Sequence, residues 1–143
     1  MTRQAGICLW AALLAVALSA CAGGEPPAAM APLRLTIGND TDQSLRCTAV
    51  LAHFMSQDLG VVAPGARLSV PLRRDFASGA LALAPREGRD VPLENLLCGL
   101  TGDWTGSRGE LPLGALRADP AASFAARCGL AAGRVACRVE AVR

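Results

Sequence analysis

A chain of 143 residues is long enough for one domain with a real hydrophobic core. Its 14 basic residues, all arginine, stand against 12 acidic ones for a formal net charge of +2. The two signs are interspersed, which excludes the concentrated basic stripe of a nucleic-acid binder. Aromatic residues make up 3% of the chain, too few for a surface that stacks bases or sugar rings.

The first element is an export signal. Arg3 sits in a polar start, Ile7 to Leu18 is continuously apolar, and small residues lead into Cys21. The apolar run is shorter than the about 20 residues that span a bilayer. The stretch Leu18-Ser19-Ala20-Cys21 resembles the lipobox of bacterial lipoproteins. That resemblance implies cleavage before Cys21 by type II signal peptidase and acylation of Cys21 as the first mature residue. Two or three acyl chains, at about 0.8 kcal/mol per buried methylene, hold such a protein on a membrane effectively permanently. Ala22, where an aspartate would signal inner-membrane retention, implies the inner leaflet of the outer membrane, facing the periplasm. The competing reading is an ordinary secretory cut near the Ala-rich end, with Cys21 incidental.

Residues 22–32 are rich in Gly, Pro and Ala and lack periodicity, so they read as a tether of about 30–35 Å when extended. The expected division is therefore residues 1–20 as signal peptide, 21–32 as lipidated cysteine and tether, and 33–143 as one domain.

Within that domain, Leu33, Leu35 and Ile37 alternate with Arg34 and Thr36 as in a strand, and Gly38 to Asp42 is turn material. Ser44 to Met55 also alternates and reads as one strand, with a helix as the rival. Pro64-Gly65 marks a turn of type I or II. Leu68, Val70 and Leu72 form another alternating strand, in which Pro71 signals an edge or an end. The pair Arg73-Arg74 reads as a solvated turn. Short strands are expected at Ala80–Ala84 and Val91–Leu97, followed by the irregular, glycine-rich stretch Gly99–Gly109.

The C-terminus is the clearest element, with Val135, Cys137, Val139 and Ala141 on one face of a half-buried strand. Phe124, Ala126, Cys128 and Leu130 share a parity before it. Folding about Ala132-Gly133 sets 128 opposite 137, 129 opposite 136, 130 opposite 135 and 131 opposite 134. A short helix starting at Asp119-Pro120 is the alternative for the first arm. Six cysteines are present; by the lipobox resemblance Cys8 is expected to leave with the leader and Cys21 to be acylated. Cys47, Cys98, Cys128 and Cys137 remain, an even set that reads as two disulfides. Three pairings are formally open. The hairpin favours Cys128–Cys137, which leaves Cys47–Cys98. The fold class that follows is all-β, a small antiparallel sandwich or barrel-like domain of six to eight short strands.

Chemistry is sparse. His53 is the single histidine and reads as a structural residue at a core margin or strand end. There is no Gly-x-Ser-x-Gly elbow, His-Glu-x-x-His motif, phosphate loop or paired Cys-x-x-Cys, so the sequence points to no enzyme, cofactor or metal. Trp104 in the glycine-rich stretch, flanked by Asp103 and Arg108, has the composition of a contact patch with an aromatic anchor ringed by charge. The expectation is a lipid-anchored accessory protein that binds or helps assemble another envelope protein or complex. The alternative is a small ligand-binding or inhibitor module.

Overall fold

The alternation seen in the sequence becomes a set of paired strands in the computed structural model, which describes residues 30–84 and 89–143. The leader, Cys21 and the tether as far as residue 29 lie outside the described residues. In β1 (Met30–Asn39), Leu33, Leu35, Ile37 and Asn39 are buried, and Arg34 between them is exposed. Pairing already begins at Met30, opposite Asp75, so three residues assigned by composition to the tether belong to this strand. Next come β2 (Leu45–Leu51), β3 (Met55–Val62), β4 (Arg67–Asp75), β5 (Leu81–Leu83) and β6 (Val91–Leu100). Two single-turn helices, α1 (Trp104–Ser107) and α2 (Gly114–Ala118), flank β7 (Gly109–Glu110). The chain ends in β8 (Ser123–Ala131) and β9 (Arg134–Ala141).

The strands run β3-β2-β6-β5-β4-β1-β8-β9, with β7 on the side of β6. β6 changes partners along its length: Val91 and Pro92 pair with β5, Leu93 to Leu100 with β2. The sheet thereby folds into two layers, one around β2, β3 and β6 and one of β5-β4-β1-β8-β9. Their inner faces share one core, whose fully buried members include Leu35, Ile37, Leu45, Leu96, Leu116 and Phe124. The fold class is thus β-sandwich-like, with nine strands among the described residues rather than six to eight. One pair departs from antiparallel order, since β1 and β8 run parallel.

Both disulfides form between directly opposed residues. Cys47–Cys98 joins β2 to β6, and Cys128–Cys137 joins β8 to β9. The sulfurs of Cys98, Cys128 and Cys137 lie within 4.8 Å of one another, so the two bonds meet across the sandwich. Each is committed to a disulfide and offers no thiolate to a metal. The β8–β9 register is the one the hairpin parity gives, turning on Ala132 (φ 50°) and Gly133 (φ 77°). No helix forms at Asp119-Pro120; the first arm is strand.

Arg73 and Arg74 are not a turn. Both lie inside β4, and Arg74 is 2% exposed. Its guanidinium donates to the carbonyls of Leu116, Asp119 and Ala121, and it stacks 4.4 Å from the Phe76 ring centroid. It is a strut that ties the end of α2 and the following loop to the sheet. Arg73, half-buried, pairs with Asp90 at 3.1 Å and donates to the Met30 carbonyl. Parity sets Arg74 on the inward face with Leu72, but the carbonyls that make a guanidinium tolerable there come from residues more than forty positions away.

Candidate functional site

The sequence treats Ser44–Met55 as one strand, and the structure breaks it. β2 ends at Leu51, and the three-residue loop Ala52-His53-Phe54 returns the chain into β3, with Leu51 opposite Met55. His53 (φ 62°) and Phe54 (φ 60°) are both in the left-handed region. L-residues other than Asn and Asp are disfavoured there by about 1–2 kcal/mol each, because Cβ crowds the carbonyl oxygen. His53 is therefore exposed at a hairpin tip, not on a core margin. Phe54 is 106% exposed, and Met55 after it 46%. A turn of this shape is ordinarily made with Gly or Asn. Here His and Phe occupy that disfavoured conformation, and the aromatic ring stands in solvent.

The outer face of the same hairpin forms a groove of about 440 Å³, lined by Arg46, Thr48, Ser56, Asp58, Val61 and, on one wall, Trp104 with Thr101. Arg46 and Asp58 form an ion pair across β2 and β3, both side chains about half exposed. The Arg46 hydrogen bond, helped by the Gly60 amide, holds the Asp58 carboxyl below its usual range; the same bond raises Arg46. Val61 contributes an exposed apolar surface at 59%.

Trp104 itself is half-buried and lies over β6. A β-carbon on Gly99 would come within 2.8 Å of its ring, so glycine is what admits the indole. Asp103 caps α1 by accepting from the Gly106 amide at 3.0 Å. Ser107 then donates to the Asp103 carbonyl and receives the Leu100 amide, fixing the turn to the end of β6. Arg108 is exposed and lines a different groove, with Asn95, Leu97, Glu110 and Arg134. The residues adjacent in sequence thus divide: Trp104 joins the hairpin face, Arg108 joins the β7–β9 seam, and Asp103 is engaged in the cap.

Another groove, of about 570 Å³ and open to solvent, separates β3 from β4 and is lined by Leu59, Val70, Pro71, Leu83 and Val91 with Gln57 and Arg89 at its rim. Loop composition singles out Trp104 in the sequence, whereas the exposure of Phe54 is not legible there, because the His-Phe dipeptide carries no turn signature. No family model matches the chain, and neither a curated protein nor a solved structure is significantly similar to it.

Proposed function

We propose that this is a lipid-anchored envelope accessory protein that holds another envelope protein through the β2–β3 hairpin. The observation that carries the reading is Phe54, fully exposed on a left-handed backbone that a less bulky residue would adopt at lower cost. A rigid aromatic at a hairpin tip suits insertion into a partner's apolar pocket, the role in which a few residues dominate binding energy. The groove running from Ser56 to Trp104 supplies the polar flank of such a contact. Attachment to the membrane rests on the lipobox at Leu18–Cys21.

The test is site-specific photocross-linking in intact envelopes. A photoreactive phenylalanine analogue at position 54 of the full chain is expected to give one discrete protein adduct. The same analogue at Phe76, which is 60% exposed but stacks on Arg74, is expected to give none. No adduct at 54, or the same products at both positions, would overturn the reading. The open groove between β3 and β4 supports a second reading, a small ligand bound against Leu59, Val70 and Val91. In that case position 54 stays silent, and a bulky residue at Val91 blocks ligand uptake.

A further inference from the structure

The opposite layer presents a different surface. Outward positions of β4, β1, β8 and β9 line up across the sheet, and the registers place Arg67 opposite Gly38, Gly38 beside Arg127, and Arg127 opposite Arg138. Arg34 lies two outward positions along β1, between Pro71 and Ser123. All four arginines are exposed. Arg127 pairs with Asp40 at 2.9 Å, and this contact, with the nearby Glu140 charge, raises its pKa. Among the described residues, no carboxylate stands within salt-bridge distance of Arg34, Arg67 or Arg138. Arg127 and Arg138 are like charges directly opposed across two strands, an arrangement that disfavours the sheet and that the Asp40 contact eases on the Arg127 side.

The floor between these arginines is small. Thr36, Gly38 and Ala125 line a shallow groove of about 410 Å³, with Arg67 on one side and Arg127, held by the Asp40 carboxylate that also lines it, on the other. Neighbouring strands are about 4.8 Å apart, so the α-carbons of Arg67 and Arg127 are about 10 Å apart across the glycine. Two long guanidinium side chains at that spacing can converge on one phosphate from both sides, and guanidinium is the side chain that binds phosphate in a bidentate fork. With the row four strands wide and the groove open, the arginines match many headgroups in a plane better than one enclosed anion. At the centre of the row is β1, the strand that continues from the tether.

We propose that the β4-β1-β8-β9 face lies on an anionic lipid surface, with Arg67, Arg127 and Arg138 on headgroup phosphates and Arg34 at the flank. The hairpin layer then faces away from the membrane and is free to meet a partner. None of the residues on the hairpin face, Phe54 and Trp104 included, belongs to this surface, so vesicle binding and partner cross-linking fail independently.

The test is vesicle flotation of the full chain with Cys21→Ser, which removes the acyl chains and leaves the rest, leader included, common to every sample. Binding to vesicles containing anionic phosphatidylglycerol is expected to exceed binding to phosphatidylcholine alone and to fall in high salt. Replacing Arg67, Arg127 and Arg138 by Gln is expected to weaken the anionic binding about fivefold per arginine, the equivalent of about 1 kcal/mol each. Replacing Arg89, Arg108 and Arg143 by Gln, an equal charge change elsewhere, is expected to do much less. Equal binding to both vesicle types, or equal loss in the two triple variants, would overturn the proposal. So would abolition of vesicle binding by millimolar inorganic phosphate, which would make this a site for a free anion.

Discussion

Replacing His53-Phe54 by Asn-Gly is expected to make the protein more stable while removing the proposed binding anchor. Each L-residue in the left-handed region is disfavoured by about 1–2 kcal/mol. Glycine at 54 escapes that penalty, and asparagine at 53 relieves part of it. Against this, the glycine loosens the unfolded chain and returns about 0.4–1 kcal/mol. Little packing is lost, because the Phe54 ring is fully exposed. The net gain is about 1.5 kcal/mol. At about 4 °C per kcal/mol for a domain of this size, the melting temperature rises by about 6 °C.

Calorimetry with both disulfides intact measures that shift, and photocross-linking or capture of the identified partner measures binding in the same samples. Phe54→Ala is the companion variant: it keeps the left-handed penalty, so its melting temperature stays within about 1 °C of the parent while partner binding falls. An unchanged or lowered melting temperature in the Asn-Gly variant would refute the claim that the tip is held against its own preference. A stabilised variant that still binds its partner would instead place the anchor elsewhere on the hairpin face.

Four further expectations rest on the geometry. Cys137 is half-buried whereas Cys47, Cys98 and Cys128 are fully buried, so limiting reductant followed by alkylation and mass mapping opens Cys128–Cys137 first. Mutating each pair to Ala has the opposite ranking: Cys47–Cys98 closes a separation of 51 residues and contributes roughly 4 kcal/mol, against roughly 3 for the separation of 9 in Cys128–Cys137. Arg74→Met orphans three carbonyls and is expected to lower stability in urea by about 3 kcal/mol, whereas Arg73→Met, losing a half-exposed pair, changes it by under about 1. Asp58 and Asp75 both have lowered pKa values, Asp58 mainly through Arg46 and Asp75 mainly through Ser78. Their contribution is full above the unfolded aspartate range near pH 4 and is lost as pH falls through the folded values, so Asp58→Asn flattens the acid side of a stability–pH curve.

What could be read from the sequence divides by physical cause. The β8–β9 hairpin, its register and the Cys128–Cys137 bond were legible because period-two alternation and a glycine turn specify them locally. The same local logic placed the cores of β1, β4 and β6. It failed where backbone conformation opposed residue preference. The Ser44–Met55 stretch kept an apolar rhythm through Ala52-His53-Phe54, and nothing in those residues announced a reversal. It failed again where a charged residue was buried by distant partners: Arg74 meets carbonyls more than forty positions away, which no window of sequence displays. Of the candidate patch, the capping role of Asp103 was implicit in Asp103-Trp104-Thr105-Gly106, but the separation of Trp104 from Arg108 depended on where β7 and β9 meet.

The two surfaces differ in kind, and that difference follows from the sandwich. A two-layer fold has two outer faces, and each is free of the core's demands. One layer shows exposed apolar side chains at a strained tip, Phe54 and Met55, and a groove with an internally matched ion pair. The other shows arginines in register over mostly small residues, Arg127 paired with Asp40 and Arg34, Arg67 and Arg138 without a salt-bridge partner among the described residues, and Val142 at the groove's edge. Apolar anchors seek a pocket that excludes water, whereas aligned cations seek a plane of anions. Under the proposed acylation of Cys21, the anchor enters the fold at β1, a strand of the arginine-bearing layer, and the proposed orientation sets that face on the bilayer. If that orientation holds, a photoreactive residue at position 54 labels protein and one at position 67 labels lipid; reversal of the two would invert the molecule on its membrane.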